Sequence, residues 1–467
     1  MTRTLDEPLT ALRAALGGAV LTPGDDGYEQ ARRVWNATVD AHPAVIVRCE
    51  SEDDVVTALS FARSAGLEVA VRGGGHSVSG ESTVDGGLVI DLRAMNAVLV
   101  DPVAGTARVG GGALLKDLDT ATQAHGLAVP SGIASDTGVG GLTLGGGMGY
   151  LTRFAGLTID NLVSARVVLA DGSILRASAD AHADLFWALR GGGGNFGVVT
   201  EFTFRLHRVG PLVHTAVLFW GIDQGRAVLH LVESVLRGLP RELNIMVLGM
   251  AAPPAPFVPP EHRGTLGIAL RVIGVGSRED HDELLGRIRD ALPPLWESAG
   301  SLPYVALQAA LDEPDPSVRT YDYFRSVYVD ELSDEVIDVV LDQLPRKPSA
   351  LSMVAFYRLD GAFSAVGDDE TAFGGGRSPG YAVFPMGECL SAEGFAAERR
   401  WARAFGDALA PVARGGTYVN VLSDEPGDRV EAAYGRQKYH RLAEVKAAYD
   451  PGNLFHRNPN IRPAVPV

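Results

Sequence analysis

The segment Arg72-Gly73-Gly74-Gly75-His76-Ser77 decides how this chain is read. It follows a short apolar run, Val69 to Arg72, that predicts a strand. Three consecutive glycines let backbone N–H groups converge on an anion with no Cβ in the way, so the loop can cradle phosphates. A second cluster, Gly132 to Gly149, offers a longer backbone-lined surface, and a third, Gly191 to Gly194 with Asn195-Phe196-Gly197, precedes a predicted strand at Val198 to Arg205. Any one cluster could simply make tight turns and bulges. Three in one region predict a ligand longer than a single phosphate. The chain has no G-x-x-x-x-G-K-[ST] and no early strand–GxGxxG–helix unit, which disfavours a P-loop NTPase and a dehydrogenase with the usual dinucleotide fingerprint.

Around these loops the pattern is that of an α/β beginning. Val45 to Arg48 and Val69 to Arg72 read as strands, with an amphipathic helix from Glu52 to Ala65 between them, closed by Gly66. Further strands are predicted at Leu88 to Leu92, Ala97 to Asp101 and Thr106 to Val109, a helix at Leu114 to His125, and a hairpin at Ser164 to Ser178 turned by Asp171-Gly172. From about Gly210 Pro-rich linkers separate strands (Thr265 to Val275, Leu351 to Leu359) from helices (Glu279 to Leu292, Ser333 to Leu344), which reads as a second, α+β region. After Tyr418-Val419-Asn420 a helical stretch runs to Tyr449 and ends in the turn Asp450-Pro451-Gly452-Asn453.

Composition narrows the function. Glycine supplies 56 of 467 residues without a fixed period, against a usual ~7%, which excludes collagen. With 46% hydrophobic residues the chain can bury a large core, and its net charge of −16 repels phosphate backbones and anionic lipid. A small-molecule partner is expected, with no nucleic acid and no membrane. Two cysteines, Cys49 and Cys389, give no disulfide framework or zinc ribbon, and no run approaches ~18 apolar residues, so a cytoplasmic location is expected.

The loops occur with Gly138-Val-Gly-Gly-Leu-Thr-Leu-Gly-Gly-Gly147, with Tyr150-Leu-Thr-Arg-Phe-Ala-Gly-Leu-Thr-Ile-Asp-Asn161 and with Asp184-Leu-Phe-Trp-Ala-Leu-Arg-Gly-Gly-Gly-Gly-Asn-Phe-Gly197. Tyr449-Asp-Pro-Gly-Asn-Leu-Phe455 and Asn458-Pro-Asn-Ile461 complete the set. In this combination the chain resembles the berberine-bridge-enzyme-like flavoprotein oxidases, of the vanillyl-alcohol-oxidase (PCMH) type of FAD-binding fold. The resemblance implies an α+β molecule. Its FAD domain, of two α/β subdomains, comes from residues 1–208 and a C-terminal return, 417–467; the insert 209–416 is a substrate domain of antiparallel sheet backed by helices.

The resemblance also implies roles. His76 stands where relatives bond the flavin 8-alpha methyl carbon; an imidazole there draws electron density from the ring and fixes it against substrate. Relatives often add a cysteinyl link from the second loop, but Ala134 holds that position, so a single bond through His76 is expected. Cofactor contacts are expected from Arg72, Gly73, Gly74, Gly75, Ser77 and Gly80, from Ser131, Gly132, Ser135, Thr137, Gly138, Gly141, Leu142 and Gly149, and from Val199, Tyr418, Asn420, Asn458 and Asn460. Thr137 occupies a position that governs oxygen access in relatives, and its valine-like shape favours an oxidase that passes electrons to O2 and gives H2O2.

The catalytic base stays open. Removing a heteroatom proton as hydride leaves requires a base within hydrogen-bond reach. The two positions that are polar in relatives hold Phe384 and Val421 here. Tyr418, Tyr357 and Glu388, with Arg358, are the candidate substitutes; alternatively the substrate needs no base, or the strand alignment is off by one residue, which would reverse the pleat face. Aromatic residues of the insert (Phe219, Trp220, Phe356, Tyr357, Phe363, Phe384) suggest an apolar pocket, although ordinary core would look the same. The expected activity is oxidation of a C–O or C–N bond, or an oxidative ring closure, in a small metabolite. The alternatives are a flavin protein with dehydrogenase activity only or with lost redox activity, and a nucleotide enzyme without flavin.

Overall fold

The computed structural model describes residues 6–312, 315, 318–423 and 427–465. Strands β1 (Val20–Leu21), β2 (Val45–Arg48), β3 (Val69–Arg72) and β4 (Leu88–Asp91) form a small sheet in the order β1-β2-β4-β3, with β4 parallel to both β2 and β3. The helix Glu52–Ala65 makes the connection that parallel strands need. Its start is fixed by a reciprocal capping box between Ser51 and Asp54, and Gly66 ends it in the left-handed region at φ 68°. Both ends coincide with the expected ones because each carries its own capping chemistry.

β5 (Val98–Asp101), β6 (Thr106–Gly110), β7 (Leu127–Ala128), β8 (Leu162–Val168), β9 (Ile174–Ser178), β10 (Val198–Arg205) and β11 (His207–Arg208) follow. Five of them make an antiparallel sheet in the order β5-β6-β10-β8-β9, and β7 pairs with β11. The last strands are β12 (Leu212–Gly221), β13 (Leu243–Ala251), β14 (Leu266–Gly274), β15 (Trp296–Pro303), β16 (Tyr321–Phe324), β17 (Val327–Val329), β18 (Met353–Leu359) and β19 (Gly380–Cys389). They form one eight-stranded antiparallel sheet in the order β15-β12-β14-β13-β18-β19-β16, with β17 also on β19. The molecule is therefore α+β, as expected.

Strand alternation gives this large sheet two faces. Leu270 and Val272 of β14, Val354 and Phe356 of β18, and Tyr381 and Val383 of β19 point toward the helices Gly225–Leu236, Arg278–Ala291, Asp334–Gln343 and Ala392–Leu409 in one apolar core. Met246, Ile273, Ala355, Ala382 and Phe384 point the other way, into a core shared with Met148, Tyr150, Leu151 and Tyr418. Trp220 and Phe356 therefore belong to the helix-side core and not to a pocket, and Phe219 packs with Trp296 in a separate cluster. Tyr357, Phe363 and Phe384 do lie on the side of the glycine loops.

The C-terminal segment is two helices, Gly427–Tyr434 and Arg436–Tyr449, not one stretch, because Gly435 breaks the run at φ 76°. Its Leu442, Val445 and Ile461 pack with Val109, Phe202 and Phe204 of the second sheet, while Phe455 joins the core of the first. Among the described residues no helix is long and apolar enough to cross a membrane.

Candidate active site

The first glycine loop leaves β3 and is braced from beneath by Arg72, whose side chain is fully buried. The guanidinium donates to the carbonyls of Ala31, Ser82 (3.2 Å) and Arg32 (3.4 Å), with Asp91 4.0 Å away. Burial lowers its pKa to about 10, leaving it charged near neutrality. Arg72 thus shapes the loop through its side chain.

Gly75 accepts a hydrogen bond from the Trp35 N–H at 3.0 Å, and the Trp35 indole stacks on His76 with ring centres 4.2 Å apart and planes 14° from parallel. Nε2 of His76 lies 3.4 Å from Oδ1 of Asp136, and hydrogen bonding to the imidazole holds that carboxyl below the usual range. The imidazole is one-fifth exposed, so it is fixed on one face and one edge yet still accessible. Phe324 meets Trp35 edge-on at 6.1 Å. Two residues before it, Asp322 is buried, with Oδ2 accepting from Thr320 at 2.6 Å and Oδ1 without a partner among the described residues. Its carboxyl is pushed up to about 6 by burial.

Beyond His76, Ser77 Oγ is 3.1 Å from Ser79 Oγ and 3.3 Å from Glu81 Oε2, and Gly80 sits where a Cβ would overlap Val39. The second loop runs against the first. A Cβ on Gly74 would strike the backbone of Gly138, and one on Gly73 would come 3.1 Å from the Gly111 carbonyl. Ser131 Oγ and the Gly132 carbonyl accept from Gln308 Nε2 at 3.0 and 2.9 Å, and the Ser135 N–H reaches Asp312 at 2.8 Å. Thr137 holds the loop to the helix Leu115–Gln123 by accepting from the Leu115 N–H at 2.9 Å. Val199 is buried in β10, its carbonyl against Gly111, and Gly149 lies against the carbonyl of Ser131.

Tyr418 closes the second loop from the C-terminal side. Its hydroxyl accepts from the Gly147 N–H at 3.0 Å and from Asn420 Nδ2 at 2.9 Å, and Asn420 also donates to the Leu142 carbonyl at 3.0 Å. Burial pushes the Tyr418 hydroxyl up to about 12 despite those donors. Phe384 meets Tyr418 edge-on at 6.0 Å and Tyr357 at 5.2 Å, and Val421 packs in the same cluster. Phe384 therefore points toward the loops, which removes the reading of a one-residue shift with a reversed face. Tyr418 and Tyr357 are brought together around it. Glu388 shares the face but lies four residues further along β19, roughly 13 Å at ~3.3 Å per residue, opposite Asp322. Arg358 is on the helix side, its guanidinium 4.8 Å from the Tyr381 ring and 2.8 Å from Asp360.

The residues fit a dinucleotide. Within the second cluster, Val139–Leu144 form a short helix, and a Cβ at its exposed Gly141 would meet nothing within 4 Å, so this face is open where its neighbours are closed. Asn458 and Asn460 line a cavity of about 340 Å³ with Ser79 and Glu81, and each has a buried Oδ1 with no partner among the described residues. Such acceptors are costly unless a donor meets them. Sequence reasoning missed Trp35, Asp136 and Asp322. Asp136 had a signal, standing one residue before Thr137, whereas nothing near Trp35 links it to a loop 40 residues on.

Comparison with known proteins agrees with this geometry. Residues 43–178 match the family model of the FAD binding domain, and residues 417–462 match that of berberine and berberine-like proteins. The chain is 30% identical over 453 residues to an FAD-linked oxidoreductase of Dictyostelium discoideum, covering 96% of this chain and 95% of the relative. It is also 30% identical to the (R)-6-hydroxynicotine oxidase of Paenarthrobacter nicotinovorans, over 96% of this chain and 97% of that one. The structure matches 6-hydroxy-D-nicotine oxidase from Arthrobacter nicotinovorans with a TM-score of 0.84 at 27% identity, covering 96% and 98% of the two chains. Glucooligosaccharide oxidase from Acremonium strictum, described as carrying a 6-S-cysteinyl, 8-alpha-N1-histidyl FAD, matches with a TM-score of 0.85 at 25% identity, covering 98% and 100%. The chain belongs to the berberine-bridge-enzyme-like family of FAD-linked oxidoreductases.

Proposed function

We propose that the protein carries FAD through one covalent bond from His76 and oxidises a C–O or C–N bond, or drives an oxidative cyclisation, in a small-molecule metabolite, with O2 as electron acceptor and H2O2 as product. FAD, when bound, supplies the hydride-accepting ring. The observation that carries the proposal is the fixed imidazole of His76, stacked on Trp35 with Nε2 directed at Asp136. Asp136 holds the Nε2 proton and so leaves Nδ1 with its lone pair free to be the linking atom. Ala134 offers no thiol for a second link.

In this reading residues 1–208 and 417–467 form the flavin domain and 209–416 the substrate domain. The glycine loops donate backbone N–H groups to the pyrophosphate, and Asn458 and Asn460 accept from the cofactor with their unpartnered oxygens. Tyr418 already accepts two hydrogen bonds, so its own hydrogen is the one it can present to a substrate heteroatom. With its pKa at about 12 it is a donor and positioning group near neutrality. Tyr357, Phe384 and Val421 make the wall against which the substrate is oriented and from which water is excluded.

Acid denaturation of purified protein tests the covalent claim: the yellow chromophore stays on the polypeptide, and His76→Ala releases it. A wild-type precipitate without colour rejects the bond. Anaerobic reduction followed by admission of air separates the alternatives: fast reoxidation with peroxide release marks an oxidase, and a reduced flavin that persists marks a dehydrogenase or an inert binder.

A further inference from the structure

The loop-facing side of the large sheet is apolar around Tyr357 and Phe384, yet β14 puts a guanidinium there. Ile273, two residues on, belongs to the loop-side core, and Leu270 and Val272 on either side of Arg271 belong to the helix-side core. Arg271 therefore faces the loops, and its guanidinium lies 5.3 Å from the Tyr150 ring centre, just past the second glycine cluster. Cross-strand register sets Arg271 in the row Val217–Arg271–Met246–Tyr357, so Arg271 and Tyr357 flank Met246.

Among the described residues no carboxylate pairs with Arg271, and its buried Nε has no acceptor. Three further buried polar atoms without partners gather at the same place: Tyr150 Oη, Asn244 Oδ1 and Thr215 Oγ1. Thr215 and Asn244 both lie opposite Ile273 in the next row of the sheet, and Asn244 spends its Nδ2 on the Tyr150 carbonyl at 3.0 Å, which fixes where Oδ1 points. Arg271 is half-buried: its Nε is shut away without an acceptor, while the side chain stays accessible on the loop side, beside Met246 and Tyr357, to an incoming anion. Its planar fork matches a carboxylate in two parallel hydrogen bonds.

We propose that Arg271 anchors a carboxylate on the substrate, assisted by the Tyr150 hydroxyl, with the apolar body of the molecule lying over Met246 and Tyr357 and its oxidisable carbon toward Tyr418. The substrate class is then a small organic acid with an aromatic or aliphatic body. This rests on reading the space between sheet and loops as the substrate site.

The test uses flavin-loaded protein and two probes of one shape, benzoate and the neutral benzamide, titrated by calorimetry. Wild type binds benzoate at least tenfold more tightly than benzamide, Arg271→Met abolishes the difference, and Arg271→Lys, which keeps the charge but loses the fork, retains part of it. Equal binding of the two probes to wild type, no binding of benzoate, or a preference that survives in Arg271→Met overturns the proposal. Should Arg271→Met fail to fold, the wild-type comparison and Arg271→Lys decide it. Calorimetry reads this without the flavin's colour, so a colourless acid precipitate would reject the covalent FAD without bearing on the role of Arg271.

Discussion

The backbone of Gly74 lies directly against that of Gly138, and a Cβ on either glycine would overlap the main-chain nitrogen of the other. The glycine surplus therefore does two things in these loops. Part of it leaves backbone open, as at Gly141, and part lets the two loops interlock, as at Gly74 and Gly138; Gly140 packs just as closely against the Gly111 carbonyl after β6.

Gly74→Ala tests the second role. The added methyl meets backbone, which cannot step aside as a flexible side chain would. A cost of about 2–3 kcal/mol is expected from overpacking, read as a lowered thermal midpoint together with reduced flavin content. Gly141→Ala, on the open face of the helix Val139–Leu144, should hold or raise stability by up to about 1 kcal/mol and act on flavin content alone. Equal midpoints for the two variants would refute the distinction.

Asp136→Asn probes the orientation of His76. The amide still fills the space 3.4 Å from Nε2 but no longer stabilises a proton there through charge. With the apoprotein mixed with excess FAD, covalent attachment should slow by about tenfold or more, following the loss of a charge-assisted hydrogen bond worth roughly twice a neutral one. The thermal midpoint should hold, and the fraction of yellow, acid-precipitated protein against time is the readout. Attachment at the wild-type rate would remove Asp136 from the account.

The parts of this fold that were legible in the sequence are those whose signals are local. The helix Glu52–Ala65 carries both caps in its own residues, and β3 is followed at once by glycine. The loops were legible as a ligand surface for the same reason. The pairing of Trp35 with His76, and of Asp136 with its Nε2, depends on tertiary packing and left no periodic trace. Phe356 and Tyr357 looked alike as pocket aromatics; only the pleat, once the strand's register was fixed by β13 and β19, sent one to each side. Arg271 did leave a mark, as a lone cation inside Leu266–Gly274, but an isolated charge in an apolar strand does not say which face it occupies.

Tyr418→Phe separates positioning from packing. The ring and its contacts with Phe384 remain, while the hydroxyl that accepts from Gly147 and Asn420 is lost. With flavin content unchanged, kcat should fall by about a hundredfold, the scale on which a lost orienting contact misplaces the reacting atoms. The hydroxyl titrates near about 12, so the wild-type rate should show no inflection from Tyr418 between pH 6 and 9. A variant within a factor of two of wild type would dismiss it from the reaction.

Asp119 gives a pH dependence with a definite sign. Among the described residues its buried carboxyl has one partner, Gln308 Nε2 at 3.1 Å, with Oδ1 unmatched, and burial pushes it up to about 7. In the unfolded chain it titrates near ~3.9. Between these values the native state holds a proton the unfolded state has released, so stability is fully present below about pH 4 and is lost as pH rises through about 7. Asp119→Asn keeps an oxygen for Gln308 and cannot ionise. Its midpoint relative to wild type should climb between pH 4 and 8, reaching a few °C, and a flat or falling difference would count against the assignment.

Lys446 ties the C-terminal return to the third glycine loop. Its fully buried Nζ donates to the Asn195 carbonyl at 2.6 Å, to Asp450 Oδ2 at 2.6 Å and to the Phe455 carbonyl at 2.9 Å. Asp450 in turn accepts from the Leu454 and Phe455 N–H groups, each at 2.9 Å, so one ion pair organises the turn that leads to Asn458 and Asn460. Lys446→Met fills a similar volume but strands the Asp450 charge, and breaking a buried pair in this way costs about 3–5 kcal/mol. The double variant Lys446→Met with Asp450→Asn removes the stranded charge and should recover part of that loss. If the asparagines hold the cofactor, flavin content should fall in the single variant before the global midpoint is reached on heating. Release of flavin only together with global unfolding would show that the knot supports the fold and has no particular bearing on the cofactor.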